Sequence, residues 1–93
     1  MSKVLEALTQ YTNVLSRSAE STNYADDRPV YTKHLAEAAR FFVLAHQGRI
    51  PELVALVHEE RRSYGWGYLS SDVGAQAESA FNEFATFIES LSA

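Results

Sequence analysis

Residues 72–91 restrict the fold this chain can reach more than any other segment. Set out at about 100° per residue from Asp72, the apolar residues Val73, Ala77, Ala80, Phe81, Phe84, Phe87, Ile88 and Leu91 fall within an arc of roughly 60–180°. Glu78, Glu83 and Glu89 fall with Ser79, Asn82 and Thr86 between about 240° and 20°. A strand would scatter the same apolar residues over both faces, because its side chains alternate with a period of two. The spacing therefore predicts a helix with an aromatic core face and an acidic, polar outer face.

Three further segments follow the same period. In the first, Ser2 to Ala19, the residues Val4, Leu8, Tyr11, Leu15 and Ala19 make one stripe. Glu20 to Arg28 is polar and aperiodic, and is predicted as a loop. The second helix is predicted to begin at Asp27-Arg28-Pro29, because proline is tolerated in a first turn and an acidic residue there suits the helix dipole. Its main stripe is Tyr31, Leu35, Ala38, Phe42 and Ala45. Phe41, Val43 and Leu44 spread apolar surface around it, and Lys33, Glu37, Arg40 and Gln47 mark a polar strip. Gly48 supplies a left-handed C-terminal cap. The third helix is predicted from Pro51, with Leu53, Leu56, Val57 and Tyr64 on one face and Gly65 and Gly67 ending it. Its short connection to the second makes these two an antiparallel hairpin.

No segment sustains the alternation a strand requires. With only four Gly and two Pro, the chain lacks the turn residues of a sandwich, and 46 % apolar with 22 % charged residues is an ordered composition. Ninety-three residues suffice for one core. The expectation is all-α: one helical domain over residues 1–93, folded as an antiparallel four-helix bundle with the second, most apolar helix near its centre.

Charge is distributed unevenly. Residues 1–62 carry eight acidic and eight basic residues, whereas Asp72, Glu78, Glu83 and Glu89 follow with no Lys or Arg after Arg62. The net charge of −4 disfavours nucleic acid, whose phosphates demand a basic stripe, and disfavours an anionic membrane surface. It suits a basic partner, or solubility alone. The first residues lack the apolar core of a secretory signal, and no apolar run approaches the ~20 residues of a membrane span. A soluble cytoplasmic protein is expected.

Little in the sequence points to chemistry. The absence of cysteine excludes disulfides, thiolate nucleophiles and zinc–thiolate sites. His34 and His46 lie about 18 Å and 120° apart on one helix, too far to share a metal, and His58 falls between them. All three are read as surface or half-buried side chains. No phosphate loop, nucleophile elbow or dinucleotide fingerprint occurs. No enzyme activity, no cofactor and no metal are expected.

The segment Glu59-Glu60-Arg61-Arg62-Ser63-Tyr64-Gly65-Trp66-Gly67-Tyr68-Leu69 is distinctive. Trp, Tyr and Arg dominate binding hot spots, but they also plug the ends of small bundles. Candidate partner contacts are therefore Glu59, Glu60, Arg61, Arg62, Tyr64, Trp66 and Tyr68 here, with Asp72, Glu78, Glu83 and Glu89 on the acidic face. Glu60 falls on the apolar face of its helix, between Val57 and Tyr64. It either pairs with a Tyr11 or Tyr31 hydroxyl or an Arg, or the helix end is simply exposed there; exposure is the simpler expectation.

In size, acidity and helicity over the whole chain, the protein resembles the immunity proteins of bacterial toxin systems and other small inhibitors of basic nucleases. The resemblance carries no signature motif. It implies a one-to-one complex with a cationic toxin or nuclease domain, its active site covered, the acidic helix steering encounter and the aromatic turn anchoring it. The alternative is a homo-oligomer, possible as a homodimer, in which the second helix faces another copy.

Overall fold

The four periodic segments form four helices. In the computed structural model, α1 spans Ser2–Ser21, α2 Arg28–His46, α3 Ile50–Ser63 and α4 Asp72–Ser90. The structure describes residues 2–22, 27–63 and 72–91. The described part of the chain is thus an all-α four-helix bundle.

Each helix buries the residues its period brings together. On α1 these are Val4, Leu8, Tyr11 and Leu15, continued by Ser18 and Thr22. On α4 they are Ala77, Phe81, Phe84, Ala85 and Ile88. Leu53 and Val57 represent α3, whose first turn contains Pro51. The centre is aromatic. Tyr11 stacks on Phe84 with ring centroids 5.4 Å apart and meets Phe81 at 5.6 Å, while Phe41 approaches Phe84 from α2 at 5.8 Å.

A tight reversal joins α2 to α3. Gly48 adopts φ of 69°, a left-handed conformation that other residues rarely take. The Gly48 amide donates to the Ala45 carbonyl at 3.1 Å and the Arg49 amide to the Leu44 carbonyl at 3.0 Å. Those two bonds are a Schellman motif, and they satisfy carbonyls that the end of α2 would otherwise leave open.

α1 packs on α2 and α4, and α3 packs on those same two neighbours. The helices therefore occupy four corners, and α2 is not central as its composition suggested. Its apolar circumference is divided instead. Tyr31, His34, Ala38, Phe41 and Ala45 face inward, Leu35 and Phe42 are half-buried, and Val43 is exposed. The inward arc is rotated by roughly 40° from the predicted stripe. Phe41 reaches the core ring of Phe84, while the Phe42 ring lies beside the His46 imidazole. Among the described residues, no helix is long and apolar enough to cross a membrane.

Candidate functional site

The end of α3 is tied to α4 by charge. The Arg61 guanidinium donates to Glu89 at 3.0 Å and to the Thr86 hydroxyl at 3.2 Å. His58 Nδ1 lies 3.3 Å from the other Glu89 oxygen. Side chains lean toward the N-terminus of their own helix, so on antiparallel neighbours Arg61 and Glu89 converge. This network corrects one expectation: Glu89 is a half-buried partner of α3 and not part of a free acidic face. Arg61, a candidate partner contact, is engaged within the bundle. On the same outer surface Glu78 is half-buried and Glu83 is exposed.

On the other side of α3, Glu60 is 8 % exposed, against the expectation that the helix end is open there. The Glu37 carboxyl of α2 is near enough to act on its ionisation. Burial first, and then Glu37, push the Glu60 carboxyl up to about 7, while Arg40 and Lys33 pull the other way. Glu37 in turn accepts from Arg40 at 3.3 Å. One turn earlier on α2, His34 is 2 % exposed, more deeply placed than a surface or half-buried histidine. Burial, aided by Lys33, lowers its imidazole to about 4, so it is neutral at pH 7.

Sequence reasoning singled out Glu60 but missed Glu37. Its neighbours Lys33 and Arg40 made the strip look solvated, and nothing in the period of one helix says which strip faces another helix. Among the described residues, no group of three or more His, Asp or Glu side chains is placed to hold a metal.

The surface is concave between α1 and α4. A hollow of about 360 Å³ has Ala7, Tyr11, Ala80, Phe84 and Phe87 as its apolar floor, with Gln10 and Glu83 beside them. Small Ala7 and Ala80 side chains leave the half-buried Phe87 ring open beside the buried Tyr11 and Phe84. A shallow depression of about 810 Å³ continues along α4 past Glu78 and Asn82, sharing Glu83 and Phe87 with the first. Among the described residues, no Lys or Arg lines either.

Of the predicted contacts, then, Glu78 and Glu83 border this surface, Glu60 is buried against α2, and Arg61 joins Glu89. Glu59 and Arg62 are exposed at the end of α3. Tyr64, Trp66 and Tyr68, and the side chain of Asp72, lie outside the described residues. Phe87 and the α1 residues Ala7 and Gln10 were not among the candidates, because a groove between helices exists only once both helices are placed. Compared with known proteins, the chain matches no family model, no curated protein and no solved structure.

Proposed function

We propose that the protein is a non-catalytic binding module that receives a basic protein partner on the α1–α4 surface. The observation that carries this reading is a groove in which Ala7, Ala80 and the half-buried Phe87 adjoin Glu78 and Glu83, and whose lining holds no Lys or Arg among the described residues. Apolar side chains of a partner would supply affinity, and its lysines and arginines would be steered by the glutamates. In its fuller form the proposal is an immunity or inhibitor protein that covers the active site of a cationic toxin or nuclease domain. The chain's net charge of −4 and its lack of any Lys or Arg after Arg62 favour such a partner.

The test uses a basic amphipathic Leu/Lys peptide and its acidic Leu/Glu counterpart as probes, read by amide chemical shifts. The Leu/Lys peptide should move resonances of Ala7, Gln10, Ala80, Glu83 and Phe87. The response should weaken with salt and be lost in Glu83→Lys, whose stability should stay within about 0.5 kcal/mol because the side chain is exposed. Equal responses to both peptides, or shifts spread over the whole chain, would defeat the reading. The inhibitor form is decided by a basic nuclease encoded beside this gene: full nuclease activity with the protein in excess sinks it.

Self-association is a second reading, favoured by Val43, which is 54 % exposed on the outer side of α2. It requires a dimeric mass in sedimentation that Val43→Lys converts to a monomer.

A further inference from the structure

The seam between α1 and α4 has a readable register. Residue order along the two helices is opposed: Phe87 shares a hollow with Ala7 at one end, and Gln76 shares a second hollow with Ser18 at the other. Between these ends Tyr11 stacks on Phe84. Ala7 precedes Tyr11 by four residues and Ala80 precedes Phe84 by four, so the two alanines lie on opposite sides of the ring stack. At a rise of about 1.5 Å per residue they are about 10–12 Å apart along the seam. Each is a shallow dip beside a larger apolar side chain of the opposite helix, Phe87 for Ala7 and Val14 for Ala80, and all four are half-buried.

We propose that this seam seats one amphipathic helix of the partner, whose apolar side chains seven residues apart enter the dips at Ala7 and Ala80 and whose cations lie on the flank toward α4. The inference rests on the reading of this surface as a binding site for a basic protein, and adds the conformation and side-chain pattern of what binds. Both banks of the seam are helices, whose backbone groups are already bonded within each helix. An extended segment laid here would find no backbone partners and would bury its own N–H and C=O groups unpaired, whereas a strand added to a sheet edge gains those bonds. A helix satisfies its own backbone before it docks, so it can cover an apolar floor without that cost. Its side chains at i and i+7 share one side at a rise of about 10.5 Å, which matches the spacing of the two dips.

Charge distinguishes the two banks. On α4, the exposed Glu83 borders the hollow between the dips. The α1 bank opposite carries the uncharged Gln10. Past Val14 the seam opens into the second hollow, of about 210 Å³, and there the α1 bank carries Arg17. The Arg17 Nε donates to the Asn13 carbonyl one turn earlier at 3.3 Å, so its exposed guanidinium stays on the α1 side. A lysine or arginine of the docked helix is therefore attracted on the flank toward α4 and repelled on the flank toward the end of α1, where a neutral or acidic residue fits. Flanking charges of this kind set how a helix is placed on its neighbours, while the apolar positions between them supply the affinity.

Two carbon-13-labelled peptides of about 14 residues and equal Leu and Lys content test the proposal, one with Leu at i, i+3, i+4 and i+7, the other with Leu and Lys alternating. The first should move the amide resonances of Ala7, Ala80 and Phe87, take helical carbon-13 shifts when bound, and bind at least about tenfold more tightly than the second. Replacing its two leucines seven residues apart by alanine should weaken binding by about tenfold or more. Arg17→Glu, at an exposed site, should tighten binding by about threefold at low salt, and the gain should fade as salt is added. A bound peptide with extended shifts, equal affinities of the two peptides, or weaker binding by Arg17→Glu overturns the proposal and leaves the basic-partner reading standing. Absence of any shift with either peptide overturns both.

Discussion

Replacing His34 by leucine removes a titration whose effect on stability can be worked out in advance. His34 is 2 % exposed, and its imidazole is lowered from 6.5 to about 4 in the folded protein, burial being the main cause. Between those values the unfolded chain binds a proton that the folded chain refuses. The contribution of neutral His34 is therefore fully present above pH 6.5 and is lost as pH falls toward 4. The slope is about 1.4 kcal/mol per pH unit, with an upper limit of about 3 kcal/mol over the window. Glu60 acts in the opposite sense. Its carboxyl is raised from 4.5 to about 7, so its contribution is present below 4.5 and lost as pH rises through 7. The two slopes cancel between about pH 4.5 and 6.5, where the wild type should show no net dependence from this pair. In His34→Leu the falling limb of Glu60 stands uncompensated. Urea denaturation followed by circular dichroism, in half-unit steps between about pH 4 and 8, gives the difference between variant and wild type free of all other titrations. That difference should fall by about 1.4 kcal/mol per unit up to pH 6.5 and be constant above it. A difference that is constant over the whole range refutes the argument, whatever its absolute size.

Two other substitutions test the packing. Phe84 is 3 % exposed and stacks on Tyr11, so Phe84→Ala should lose about 3–5 kcal/mol, a large share of the ~5–15 kcal/mol of a small domain. A shift in the urea midpoint worth less than about 1 kcal/mol would contradict its place in the core. Arg61→Ala removes the bonds to Glu89 and Thr86, but the charged side chains are 35 % and 31 % exposed. The loss should be about 0.5–1 kcal/mol and should shrink in ~1 M salt; a loss that salt does not touch would place the value of Arg61 in its packing.

The legible part of this protein is what one helix reports about itself. The arc from Val73 to Leu91 specifies a helix and its inward face because residues three and four apart share a side, and no partner is needed to see that. Gly48 is equally local: an apolar helix followed by glycine and then Pro51 describes its own reversal, and the left-handed φ of 69° agrees. On α2 the same reasoning was less sufficient. With apolar residues almost all round, the period identified a helix but not its rotation, and a turn of roughly 40° exchanged Leu35 and Phe42 for His34 and Phe41 at the core.

What depends on two helices at once had no trace in the sequence. Glu60 on an apolar face was visible, but its burial depends on how α3 is set against α2. The acidic face of α4 was visible, but Arg61, 28 residues away in the chain, takes Glu89 out of it. The apolar floor between α1 and α4 is likewise a property of their spacing, set where Ala7 and Ala80 leave room beside larger rings. The sequence alone determined four amphipathic helices, because hydrophobic period and turn chemistry act over a few residues. Only the tertiary structure decided which charges are paired, which are buried and which face solvent, because electrostatic energy depends on distances and desolvation that arise when the helices pack.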